Sequence, residues 1–192
     1  MNKTTAIQKI VLSALCAICM AGFFLSAINV TLAFLGHSQT TSVGLRTLFE
    51  RRDPQEGVVN FEQSDIGNIF ENNYMLQGVL FRVVFSATAY MLTLLLILAI
   101  FFLVLFGRLK RLQIALTLLA AVSLVVAGVV ILTVPTTLAA AIADMLGFLA
   151  LFLNVSEIFS LSLGVGYWLT LSMLILLLFT QILIKFDKRK KV

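Results

Sequence analysis

The sequence has little charge: only 12% of its 192 residues are Asp, Glu, Lys or Arg, whereas 60% are hydrophobic. An ordinary soluble domain is about 25% charged and about 45–50% apolar. Polar side chains must cover the surface of a soluble globule, and a few clusters of charge cannot do so. The composition therefore excludes a soluble enzyme, a nucleic-acid-binding domain and a disordered protein, and it predicts a polytopic membrane protein.

Histidine and cysteine are also scarce, which limits the chemistry available. The single histidine, His37, cannot form a His-rich metal site. Cys16 and Cys19 form a Cys-x-x-Cys inside an apolar run, without a second pair or a nearby histidine, so we interpret them as packing residues. The chain has no Gly-rich phosphate loop, no His-Glu-x-x-His and no Ser/His/Asp set. We expect no catalytic residue, no cofactor and no metal.

Four long stretches are almost free of charged residues: 10–36, 79–106, 112–134 and 160–185. Each exceeds the roughly 20 residues that an α-helix needs to cross a bilayer. The first stretch is longer than the apolar region of a signal peptide, which holds about 7–15 residues, so we expect an uncleaved first span. These observations predict an all-α integral membrane protein, with one membrane domain over 1–192 built as a bundle of four transmembrane helices.

The charges that remain indicate the orientation of these spans. Ten basic residues and one acid lie in the leader, in the turn at 107–111 and in the basic tail at 185–192, whereas four basic and eight acidic residues lie in the other loops. Basic residues near span ends favour the cytoplasmic side. The distribution predicts that both termini and the 107–111 turn are cytoplasmic.

An apolar segment over 136–153 has a different pattern from these spans. Leu138, Ile142 and Met145 share one helical face, and Ala139 and Ala143 share the opposite face. Such a helix suits the outer interface or a re-entrant position against the bundle. A fifth span is the alternative, but it would place the basic tail outside, against the charge distribution.

The outer loop over 37–78 is predicted to form a small cap on the membrane. Helical patterns cover 45–52 and 64–74, and residues 58–61 could be extended. Four spans with a long first outer loop resemble the layout of claudins and tetraspanins, but the Trp-Gly-Leu-Trp with paired cysteines and the Cys-Cys-Gly of those families are absent. The resemblance implies no function. The cysteine-free loop favours a bacterial inner membrane over an animal cell surface.

Three polar residues could form a polar or ion-pair site. Asp144 stands alone in an uncharged stretch, where a carboxylate is costly unless it is paired or protonated. It could line a proton or cation pathway, or it could face water or pair with Arg82 at the outer boundary. Arg82 could equally snorkel to headgroups. Asn29 is interpreted as a hydrogen-bonding residue between helices.

Small residues recur at a spacing of four, which allows helices to approach closely in lipid. These candidate packing stripes are Ser13, Ala17 and Ala21; Ala139, Ala143 and Gly147; and Ser162, Gly166 and Thr170.

Two functional hypotheses follow from these patterns. The first is a non-enzymatic accessory or interaction subunit of a larger membrane complex, with the lipid bilayer and other membrane subunits, identical or different, as partners and without nucleic acid. The second is a small oligomeric transporter or channel that uses Asp144 on a polar pathway.

The orientation predicts the outcome of reporter fusions. Reporters placed after residues 110 and 190 should be cytoplasmic, and a reporter after residue 155 should be extracytoplasmic, because basic residues mark the cytoplasmic side. Paired alkaline phosphatase and fluorescent protein fusions measure this directly. An extracytoplasmic signal after residue 190 would contradict the four-span arrangement.

Overall fold

A computed structural model describes residues 3–34, 37–44, 74–106, 110–147 and 159–189. These residues form five helices and three strands: α1 (Lys3–Gly22), β1 (Ser26–Phe34), β2 (His37–Gly44), α2 (Tyr74–Phe106), α3 (Lys110–Leu132), α4 (Val134–Leu146), β3 (Phe159–Leu163) and α5 (Val165–Arg189). The helices predicted at 45–52 and 64–74 and the extended segment at 58–61 lie outside the described residues, apart from Tyr74.

Within the described ranges, three helical segments are long and apolar enough to cross a membrane. They are Leu76–Phe106, Lys110–Asp144, which joins α3 and α4, and Val165–Lys185. The apolar part of α1, Ala6–Gly22, is shorter than these segments. The chain is therefore a mostly helical protein of the integral membrane class, and crossing by α1 remains a prediction.

The predicted all-α fold is wrong, because residues of the first predicted span and the first residues of the last predicted span, 160–185, form strands. The helix ends at Gly22, and β1 begins at Ser26 instead of continuing the helix to residue 36. The sequence from Ile28 to Leu32 alternates apolar and polar residues, a period that suits a strand with two different faces. β-Branched residues at three of those five positions further favour the extended conformation.

The three strands form an antiparallel sheet in the order β2-β1-β3. Its register places polar residues opposite each other, because Thr31 is paired with both Thr40 and Ser160. The hydroxyl oxygens of Thr31 and Thr40 are 3.0 Å apart, and Ser42 Oγ donates to Asn29 Oδ1 at 3.0 Å. One face of the sheet is thus polar, and its members are Asn29, Thr31, Thr40, Ser42, Ser160 and Ser162.

Four helices pack in a ring in which α1 contacts α2 and α5, and α3 contacts α2 and α5. Their shared core is mostly apolar, and its fully buried members include Cys16, Cys19, Phe23, Ile97, Ile100, Leu124, Leu174 and Leu177. Lipid tails are as apolar as these side chains, so close packing rather than water exclusion holds such helices together.

The predicted outer helix over 136–153 is observed in part as α4, directly after α3. Only one turn at Thr133 separates the two helices, and the Thr137 N–H donates to the Thr133 carbonyl at 3.3 Å. Pro135 lies in the first turn of α4, where its missing N–H costs little. α4 packs along α2, whose 33 residues extend for about 50 Å. Since a bilayer core is about 30 Å thick, this helical hairpin is longer than the membrane requires. Residues 148–153 of the prediction lie outside the described residues.

The backbones of α1 and α5 meet without intervening side chains where the sheet begins. A Cβ atom on Gly166 would overlap the Gly22 carbonyl oxygen and lie 2.9 Å from the Ser26 carbonyl oxygen. The Gly164 N–H donates to the Ala27 carbonyl at 2.8 Å, which joins the start of α5 to β1. Only glycine at position 166 permits this approach.

Substitution of Gly166 should therefore be costly. Gly166→Ala is expected to lower the free energy of unfolding by about 1–3 kcal/mol, because its methyl group would enter a packed backbone contact. The measurement is denaturant titration in mild detergent, followed by circular dichroism.

Gly78→Ala is the matched control, because a Cβ atom at this position of α2 has no neighbour within 4 Å. This variant should unfold at the same denaturant concentration or a higher one, since alanine favours helices over glycine by about 1 kcal/mol. Equal losses in the two variants would contradict the close contact between α1 and α5.

Candidate functional site

Arg82 joins α2 to the turn between α3 and α4. Its Nη1 donates to Thr133 Oγ1 at 2.6 Å, and Thr133 Oγ1 in turn donates to the Val130 carbonyl at 2.6 Å. The guanidinium group therefore holds α2 against the turn between α3 and α4. This contact gives Arg82 a structural partner that the sequence did not indicate.

Asp144 is exposed near the end of α4. It follows Thr133 by 11 residues, which corresponds to about 16 Å along a helix. Arg82 and Asp144 both lie in the described residues, and the structure shows no ion pair between the guanidinium group and the carboxylate. Asn29 lies in β1 and accepts a hydrogen bond from Ser42, outside any helix. The three predicted polar residues thus have separate environments.

The predicted packing stripes contribute unequally to helix contacts. Ala17 and Ala21 are exposed on α1, Ser13, Ala139 and Ala143 are half-buried, and Gly147 is an exposed residue that follows α4 with a φ of 53°. Ser162 lies on the polar face of the sheet. In the third stripe, Gly166 and Thr170 are buried against Gly22 of α1.

Cys16 and Cys19 are free thiols that are fully buried in the core. Across the described ranges, no group of three or more His, Cys, Asp or Glu side chains could hold a metal ion. His37 is the first residue of β2.

The described residues enclose a mostly apolar cavity that we name the lateral cavity. It has a volume of about 340 Å³ and lies between the sheet, α2, α3 and the start of α5. Small residues from four different elements line much of its wall, and they are Ala27, Gly44, Ala87, Ala127 and Gly128. The remaining lining is mostly apolar, and its polar groups are the hydroxyls of Ser86, Tyr90 and Tyr167.

Hydrogen bonds between helices fix the walls of the lateral cavity. Ser86 Oγ on α2 donates to the Ala127 carbonyl of α3 at 2.7 Å. Tyr167 Oη on α5 donates to the Leu124 carbonyl at 3.1 Å. A Cβ atom on Gly128 would overlap the Tyr167 hydroxyl group, so glycine allows the tyrosine ring to lie directly on α3. Ser86 and Tyr167 therefore use their hydroxyl groups within the protein, whereas the Tyr90 hydroxyl, which also lines the cavity, has no hydrogen-bond partner among the described residues. The rest of the lining is apolar.

Sequence reasoning missed the lateral cavity. Its signals are dispersed over residues 27–167, and only the isolated Gly128 within an apolar helix pointed to a close approach. Comparison of the chain with protein-family models, curated proteins and solved structures finds no match.

Proposed function

We propose that this chain is a non-enzymatic accessory or interaction subunit of a larger membrane complex, and that a transmembrane helix of its partner inserts a side chain into the lateral cavity. The observation that carries the proposal is the apolar cavity of about 340 Å³ beside an exposed face of α2. A preformed concave apolar site is the usual form of a binding site in a protein.

The residues of the cavity wall favour a helix as the occupant. Ala27, Gly44, Ala87, Ala127 and Gly128 lack long side chains, and small residues are typical of positions where helices approach closely in lipid. Val83 and Met91 line the same cavity and are about 40% exposed on α2. A partner helix that follows α2 would contact both residues and cover the cavity.

The core of the bundle supports an interaction role over transport. Thr93 and Thr170 are buried, and each donates to the carbonyl four residues earlier in its own helix. These two hydroxyls are satisfied within their own helices, so neither supplies a polar route through the core. Asp144, the residue of the transport alternative, is exposed on α4.

The sheet offers a second contact surface. Its polar face presents hydroxyl and amide groups from all three strands, which suits hydrogen bonding to an extracytoplasmic partner segment. The cysteine-free outer loop supports a bacterial inner membrane as the location. In this proposal, protein subunits contact the lateral cavity and the polar face of the sheet, and the lipid bilayer surrounds the apolar helices.

A blocked cavity tests the proposal. In Ala87→Phe, a phenyl group occupies the mouth of the lateral cavity, and we expect recovery of the partner in gentle detergent to fall at least tenfold, or about 1.4 kcal/mol. Partners are quantified by mass spectrometry of the tagged, full-length chain purified from its own cells. A photo-crosslinking residue at position 87 should form an adduct of defined mass with the same partner.

Ala99→Phe is the matched control, because Ala99 is also an exposed alanine of α2 and does not line the cavity. Gel filtration of both variants tests that the fold is intact. Recovery of a stable monomer alone would contradict the subunit role. An equal effect of the two substitutions, or a lipid as the crosslinked species at position 87, would contradict a partner helix in the cavity.

A further inference from the structure

A second cavity, which we name the basic cavity, lies at the end of the bundle opposite the sheet. Its volume is about 80 Å³, and its polar lining consists of Gln8, Lys9, Lys110, Gln113, Gln181 and Lys185. The three lysines come from three different helices, α1, α3 and α5. Leu12, Val104, Ile114 and Ile184 form the apolar part of the lining, and no acidic residue is present among the described lining residues.

A buried amide group without a hydrogen-bond acceptor accompanies this charge. Gln181 is only 5% exposed, and its Oε1 accepts from Thr117 Oγ1 at 3.1 Å. In the described part of the chain, its Nε2 has no hydrogen-bond partner. A buried donor that lacks an acceptor carries a free-energy cost, which a ligand oxygen would remove.

The helix ends around the basic cavity add to its preference for an anion. α3 begins at Lys110, and the N-terminus of a helix carries partial positive charge. At the end of α2, the carbonyls are already used: Lys9 Nζ donates to Leu105 O at 3.4 Å, and Gln113 Nε2 donates to Leu103 O at 2.9 Å. The local negative ends of α2 are thus partly neutralised by the protein itself.

We propose that the basic cavity binds a phosphate group, either the phosphodiester of an anionic phospholipid or free phosphate. Its volume equals that of roughly two to three water molecules at about 30 Å³ each, which suits one tetrahedral oxyanion. Lysines supply the charge, and the Gln181 amide supplies a fixed donor. Basic pockets between transmembrane helices are known to bind anionic lipid headgroups.

The test uses the full-length chain in nanodiscs of phosphatidylcholine with and without phosphatidylglycerol. Native mass spectrometry counts the phosphatidylglycerol molecules retained, and titration of inorganic phosphate into the phosphatidylcholine sample measures free anion binding. Lys9→Gln and Lys185→Gln are each expected to weaken binding roughly fivefold. Lys9→Arg should preserve it, and Gln181→Leu should weaken it without a change in charge.

Arg111→Gln is the matched control, because it removes one positive charge beside Lys110 from a residue outside the cavity lining. If the lysine variants lose phosphatidylglycerol retention and keep their inorganic phosphate binding, the site is assigned to a lipid headgroup. If they lose inorganic phosphate binding and keep phosphatidylglycerol retention, the site is assigned to the free anion. An equal effect of Arg111→Gln and the lysine variants would overturn the proposal. The absence of both kinds of binding in the unsubstituted protein would also overturn it. Gel filtration verifies that the unsubstituted protein is folded.

Discussion

The backbone contact between the end of α1 and the start of α5 is the constraint on which the sheet and the lateral cavity depend. Gly166 lies directly against the backbone of Gly22 and Ser26, Gly22 leaves room for the Thr170 side chain, and the Gly164 N–H donates to the Ala27 carbonyl of β1. This contact ends the first helix at the point where the chain can pair with β3. The sheet then forms the roof of the lateral cavity, above walls contributed by α2 and α3.

The apolar helices could be predicted closely from the sequence. The predicted second and third spans, 79–106 and 112–134, agree with α2 and α3 to within a few residues at each end, because long uncharged runs leave few other solutions. The error at 26–34 has a physical reason. The average hydropathy stays high across Gly22, which favoured one long helix. The alternation of apolar and polar residues from Ile28 to Thr31, however, has the two-residue period of a strand.

The pairing of β1 with β3 and the two cavities could not be read from local patterns. Leu161 is paired with Val30, more than 100 residues earlier in the chain, and hydropathy gives no information on which distant segments meet. The Phe-Ser-Leu-Ser-Leu of β3 shows the same two-residue period as β1. The sequence therefore indicates a strand here, but it does not indicate which other strand it pairs with. Residues that line the lateral cavity come from separate elements, and they form a site only after the helices pack.

The two ends of the bundle have different chemistry. The lateral cavity and the sheet combine an apolar space with a polar, uncharged face, which suits a membrane partner with an outer segment. At the other end, three lysines surround a small cavity that suits an oxyanion. We interpret the bundle between them as a rigid support, since its core is apolar and its buried threonines donate to their own helices.

Disulfide formation between β1 and β3 tests the central structural claim most directly. Thr31 and Ser160 are directly opposed in the register, so paired cysteines there should be within the Cα separation of about 4.4–6.8 Å that a disulfide requires. Thr40→Cys with Ser160→Cys is the control, because β1 lies between those strands. The predicted result is rapid disulfide formation in the Thr31→Cys/Ser160→Cys variant and not in the control. The oxidation is carried out in native membranes and detected as a shift in gel mobility. No crosslink in that pair, or equal crosslinking in both pairs, would contradict the sheet.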